Sequence, residues 1–147
     1  MTDLYDRDFY HWANEQAALL RAGRLSAADV EHIAEELETL GRSERDDLTD
    51  RLAALLVELI RLSHHPMWRE SGSGRNAVRL RRRQIARVLR WSPSLRSQLE
   101  SILADAWGDA VLIADRETGP VESDSPARCP WTARQVLDDG FWPDTAP

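Results

Sequence analysis

The chain has 147 residues, of which 42% are hydrophobic and 30% are charged, with one cysteine and a formal net charge of −6. This length and composition fit one folded domain and exclude a disordered or fibrous protein, and a single cysteine excludes a disulfide framework or a multi-cysteine zinc site. No apolar run approaches the roughly 18–20 residues of a membrane span, and no signal peptide is expected, so the expected compartment is the cytoplasm.

Apolar residues recur at helical spacing almost to residue 117, and no stretch alternates like a strand, so an all-α fold is expected. The first helix is expected over residues 5–22, with Gly23 as its stop. Ser26 is placed to cap a second helix. Because Gly41 breaks or bends that helix, residues 26–63 form either two helices or one long bent helix.

Residues 46–63 are apolar around well over half of the helix circumference, with six leucines on the core face. A helix of this kind is buried from two sides. It is therefore either the central helix of a bundle, which we favour, or a subunit interface.

Two more helices are expected, over residues 76–91 and from Ser92-Pro93 to about residue 117. The remaining residues contain prolines and, at 132–138, one or two helical turns. Because this segment also carries Trp131, Phe141 and Trp142, its rings are expected to dock on the bundle. The prediction is a single domain, with a bundle of about five helices over residues 1–119 and a wrapping tail over residues 120–147.

All 19 basic residues are arginines, and they are unevenly placed. Residues 61–96 carry a net charge of +9 between two acidic flanks. On the helix at 76–91, Leu80 and Trp91 belong to the predicted apolar face. The opposite side carries a stripe of arginines that could follow a phosphate backbone, or that acidic neighbouring helices could neutralise. The stripe consists of Arg79, Arg83, Arg87 and Arg90, flanked by Arg75 and Arg82.

Two charged residues fall on predicted core faces, where an unpaired charge is costly. Arg81 is expected to meet an acid of the central helices, either Glu38 or Glu58. Glu117 is expected to pair with Arg75 or Arg69.

The motifs of common catalytic and metal sites are absent from the sequence. No histidine follows a glutamate by three residues, as a dinuclear helical site requires, and no serine elbow or phosphate loop occurs. Cys129 lies in a loop rather than at a helix start. No metal and no cofactor are expected, and an enzyme would need a polar cleft formed by Glu35, Glu38, Arg69 and Glu117.

Short motifs in a fixed order along nearly the whole chain resemble those of a bacterial family, domain-of-unknown-function family twenty-nine. The resemblance rests on residues 5–12, 16–21, 35–41, Pro66 with Arg69, 92–95, 117–119, 129–131 and 141–143.

This resemblance implies a small all-helical protein without an established activity. Its recurrent charged positions imply an internal ionic network or a shared polar site, and they fall here on Glu35, Glu36, Glu38, Arg69, Arg82 and Glu117. The chain departs from the family in carrying Glu58 in place of a histidine, His64-His65 in place of Tyr-Gln, and Ser73-Gly74 in place of Ser-Trp. A histidine-dependent chemistry is therefore not expected at Glu58.

The function favoured by the sequence is a non-catalytic module that binds an unknown protein partner or forms a homo-oligomer. Nucleic-acid binding through the arginine stripe is the alternative, and an enzyme with a Glu/Arg site is the second alternative. A large exposed apolar patch would favour the protein-binding module, and arginines free of acidic partners would favour nucleic-acid binding. Glutamates and arginines that converge on a cleft would favour the enzyme.

Overall fold

A computed structural model describes residues 3–118 and 126–144, and in these ranges the chain forms α-helices and no strands, which confirms the all-α prediction. The residues group into two compact units, 1–43 and 44–147. None of the described helices is both long and apolar enough to cross a membrane. The helices are α1 (Leu4–Arg7), α2 (Phe9–Arg21), α3 (Val30–His64), α4 (Pro66–Glu70), α5 (Gly72–Trp91), α6 (Leu99–Thr118) and α7 (Ala133–Leu137).

The first predicted helix is divided into α1 and α2 at Asp8. The side chain of Asp8 accepts a hydrogen bond from the backbone N–H of His11 and so caps α2. Gly23, with φ of 71°, follows the end of α2 as predicted, because this left-handed conformation suits glycine.

Of the two alternatives for residues 26–63, the structure shows one continuous helix, α3, with Gly41 inside it, but this helix begins at Val30. The prediction that Ser26 caps it is wrong, because Ser26 lies in a separate 3₁₀ helix, Leu25–Ala27. The second half of α3 is the centre of the core of residues 44–147. Its core leucines are at most 2% exposed, as expected of a central helix: Leu48, Leu52, Leu55, Leu56, Leu59 and Leu62.

Helix α5 begins at Gly72, four residues earlier than predicted, because Ser71 caps it by accepting a hydrogen bond from the N–H of Gly74. A 3₁₀ helix, Pro93–Gln98, then leads into α6. Helices α5 and α6 both contribute apolar side chains to the core around α3, among them Ile85 of α5 and Ile102 of α6.

The C-terminal segment docks through its rings. Trp131 contacts Trp107 of α6 at a centroid distance of 5.9 Å and Phe141 at 6.2 Å. The indole N–H of Trp107 donates to the carbonyl of Pro126. Of the predicted tail, residues 119–125 and 145–147 lie outside the described part of the chain.

Candidate functional site

Helix α5 has a buried face and a basic face. Its buried positions follow helical spacing, namely Gly74, Val78, Arg82, Ile85 and Leu89. The helix carries seven arginines and no acidic residue. The exposed side of the helix therefore carries arginines and no carboxylate.

Arginines at four-residue spacing run along the basic face, and this set is called the arginine ladder below: Arg75, Arg79, Arg83 and Arg87. All four side chains are exposed, as is the neighbouring Arg90. Each step of four residues advances about 6 Å along the helix axis. Within residues 3–118 and 126–144, the arginines that form ion pairs are Arg45, Arg51 and Arg61, none of which lies on α5.

The prediction that Arg82 belongs to the exposed stripe is wrong. Arg82 is 3% exposed, and it holds the C-terminal segment by donating from Nε to the carbonyl of Val136 at 2.9 Å and from a terminal nitrogen to that of Phe141 at 2.8 Å. Burial lowers the pKa of Arg82, against smaller opposing effects of Asp139 and Asp138. Arg82 therefore attaches the C-terminal segment to α5 and is not a candidate nucleic-acid-binding residue.

One aromatic side chain lies against the first part of the ladder. The guanidinium groups of Arg75, Arg79 and Arg82 lie 5.2, 6.0 and 5.3 Å from the centroid of the half-buried Trp142 ring. Cation–π attraction orders these groups but leaves their charge in place. The far half of the ladder, Arg83 and Arg87, makes no such contact in the described residues.

Two apolar residues of α5 were expected on its buried face, and that expectation is wrong. Leu80 is 53% exposed and Trp91 is 81% exposed. The spacing of Trp91, four residues after Arg87, is the signal in the sequence that places the ring beside the ladder.

A second polar arrangement lines a groove of about 620 Å³ in residues 44–147. There Arg61 binds both Glu58, at 3.3 Å, and Glu117. The prediction that Glu117 pairs with Arg75 or Arg69 is therefore wrong in its partner. Arg81 is half-buried and lines the same groove as Glu58, but among the described residues Glu58 pairs with Arg61, and the predicted pairing of Arg81 with Glu38 or Glu58 is not formed.

The proposed catalytic residues are not gathered into this groove. Glu117 lines it, whereas Arg69, Glu35 and Glu38 do not, and Glu35 and Glu38 are exposed residues of the unit formed by residues 1–43. The lining includes no serine, cysteine or histidine. Elsewhere, burial raises the pKa of the Cys129 thiol, which disfavours the nucleophilic thiolate.

The unit formed by residues 1–43 contains an aromatic and acidic cluster. The Tyr5 ring stacks on that of His32 at 4.0 Å, and its hydroxyl donates to Glu36, which raises the pKa of Tyr5 to about 12. Asp29 accepts one hydrogen bond from the Trp12 indole N–H and contacts the His32 ring at 2.7 Å.

Asp3, Asp29 and His32 place one potential ligand atom each within 4.8 Å of one another, so they are the described residues that could hold a metal ion. Within this group the His32 ring makes a direct hydrogen bond with Asp29 at 2.7 Å, and its Nδ1 lies 3.6 Å from a carboxylate oxygen of Asp3.

Comparison with known proteins identifies one family. A model described as "Domain of unknown function DUF29" matches residues 4–142, which is nearly the whole chain. Neither a curated protein nor a solved structure matches.

Proposed function

The chain belongs to the DUF29 family, and because that description names no activity, we propose from the geometry that the chain binds the phosphate backbone of nucleic acids through the exposed face of α5. The observation that carries this proposal is the exposed arginine ladder without a carboxylate partner in the described residues.

Arginine suits this role because its guanidinium group donates several hydrogen bonds in one plane and keeps its charge at every physiological pH. The ladder spans about 18 Å of helix from Arg75 to Arg87. A linear array of this length matches a polymer of phosphates better than it matches a single small anion, which would contact one or two of the groups.

The salt dependence of binding gives the expected magnitude. Four phosphate contacts predict a slope of log K against log salt of about −3 for a single strand and about −3.6 for a duplex. Between 50 and 200 mM salt, affinity should therefore fall by about 50- to 150-fold.

The experiment is a fluorescence anisotropy titration of labelled DNA and RNA at low and physiological salt. The variant Arg83→Glu/Arg87→Glu should abolish binding, whereas Arg21→Glu/Arg24→Glu, which makes the same charge change at exposed residues of the other unit, should retain most of it. Equal losses in both variants would show that only total charge matters. Absence of binding by the unmodified protein at low salt would refute the proposal.

A specific observation also supports self-association as a second function. Val30, Leu37 and Leu40 share one side of the first half of α3 and are 60–63% exposed. A second copy presents the same stripe, so two copies can bury it symmetrically. Sedimentation should show a dimer that Leu37→Glu/Leu40→Glu dissociates and Leu112→Glu, at an exposed site on α6, does not; a monomeric unmodified protein would refute this function.

A further inference from the structure

Trp91 is the last residue of α5 and is 81% exposed. The other tryptophans are buried or half-buried, for example Trp12 and Trp107 at 4% exposure. Among the described residues, Trp91 takes part in no ring or cation–π contact. Its flat indole face is open to a ligand.

The position of Trp91 continues the arginine ladder. It follows Arg87 by four residues, so the ring stands one turn beyond the last ladder arginine, about 6 Å along the axis. Arg90 immediately precedes it and is also exposed. The same helix therefore presents guanidinium groups and, at its end, an aromatic plane.

These two chemistries together fit an unpaired nucleotide. Guanidinium groups bind phosphates, and an aromatic face stacks on any base. The bases of a duplex are already stacked on each other, and a side chain reaches their faces only by unstacking them, at a cost. A single strand offers its bases freely.

We infer that α5 binds single-stranded nucleic acid, with the backbone along the arginine ladder and one base stacked on Trp91. This inference rests on the proposed function, because stacking needs the ladder to hold the strand. It adds a preference for single strands over duplexes that the ladder alone does not give.

The test compares a labelled single-stranded oligonucleotide with a duplex of the same length by fluorescence anisotropy. Trp91→Ala should weaken single-strand binding by about 5- to 150-fold and change duplex binding less than about twofold. Trp91→Phe should recover part of the loss, because a smaller ring still stacks. The matched control is Leu80→Ala, which removes another exposed apolar side chain of α5 and should leave both affinities unchanged.

A second readout observes the ring directly. Addition of the single strand should quench the tryptophan fluorescence of the unmodified protein more than that of Trp91→Phe. The reason is that a stacked base quenches the indole of Trp91, which the variant lacks. Because Trp91 is exposed, its replacement should leave the circular dichroism spectrum unchanged.

The outcomes separate the two proposals. If Trp91→Ala binds single strands as tightly as the unmodified protein while Arg83→Glu/Arg87→Glu does not bind, the stacking inference is wrong and the proposed function stands. A preference of the unmodified protein for duplexes also overturns the inference alone. If the unmodified protein binds neither form at low salt, both proposals are wrong.

Discussion

Replacement of Arg82 by methionine should detach the C-terminal segment and destabilise the protein. The guanidinium group donates to two backbone carbonyls, those of Val136 and Phe141, and is itself buried. Methionine has a similar length but no donor, so the substitution isolates the hydrogen bonds from most of the packing.

The magnitude follows from these contacts. Two hydrogen bonds from a charged donor contribute about 1.5–3 kcal/mol each. The cost of burying the guanidinium, which also lowers the pKa of Arg82, offsets part of that sum. We expect a net loss of about 3 kcal/mol in the free energy of unfolding.

The assay is urea unfolding followed by tryptophan fluorescence, to which Trp131 and Trp142 of the C-terminal segment contribute together with the four other tryptophans. Arg83→Met, one residue away on the exposed side, is the matched control and should not destabilise the protein. Arg82→Lys should be intermediate, because an ammonium group keeps the charge but loses the planar geometry of two donors. If Arg82→Met unfolds at the same urea concentration as Arg83→Met, the role of Arg82 in attaching the C-terminal segment is refuted.

Two further predictions concern packing. In the unit of residues 1–43, the His32 ring donates a hydrogen bond to the Asp29 carboxylate, which raises the pKa of His32 and lowers the pKa of Asp29. The stability contributed by His32 should be complete below about pH 6.5 and lost as pH rises through its raised pKa, and that of Asp29 should be lost as pH falls below about 4. Trp12 fluorescence should follow both changes. A loss of stability above about pH 7 that His32→Gln leaves unaltered would contradict this assignment. Gly74→Ala should lower the melting temperature, because a Cβ there would lie 2.6 Å from the carbonyl oxygen of Trp68, at a cost of about 1–3 kcal/mol. Gly41→Ala, where nothing lies within 4 Å, should instead stabilise the protein by about 0.5–1 kcal/mol, and equal effects of the two substitutions would contradict the close contact.

The helices could be predicted because their signals are local. The apolar spacing of α3 identified a helix buried on two sides, and Gly23 marked the end of α2. At Gly41 the two alternatives remained open, because a glycine costs a helix only about 1 kcal/mol and cooperative hydrogen bonding along a long helix exceeds that cost.

The partners of buried charges could not be predicted, because they depend on elements far apart in the sequence. The pattern of α5 predicts Arg81 on the buried face and Arg82 beside the exposed arginines, whereas in the structure Arg82 is buried and Arg81 is half-buried. The choice is made by the C-terminal segment, whose carbonyls at Val136 and Phe141 reach Arg82. Likewise, Glu117 pairs with Arg61, 56 residues earlier, and helical spacing within α6 carries no information about that distance.

The exposure of Trp91 was missed for a related reason. An apolar residue at the edge of an amphipathic face is placed inside by default, since burial of an indole is favourable. In the structure, however, neither the 3₁₀ helix Pro93–Gln98 nor any other described segment covers the ring, which is 81% exposed. The four-residue interval from Arg87 relates Trp91 to the ladder, but it does not reveal how far the buried face extends.

The spacing of the ladder carries a stability cost, and this gives a final prediction. Along the ladder, the residue four positions after each of Arg75, Arg79 and Arg83 is another arginine rather than a glutamate that could pair with it. Each such like-charged pair destabilises a helix by about 0.2–0.5 kcal/mol. Arg83 has such a neighbour on both sides, Arg79 and Arg87, so Arg83→Gln should raise the free energy of unfolding by about 0.4–1 kcal/mol while it weakens nucleic-acid binding. Arg90→Gln should not stabilise the protein, because Arg90 lies in the last turn, where its charge favours the helix dipole. Replacement of a residue that serves packing lowers both stability and binding. A higher stability together with weaker binding of Arg83→Gln would therefore show that Arg83 serves ligand binding rather than packing. A destabilised Arg83→Gln would refute this account.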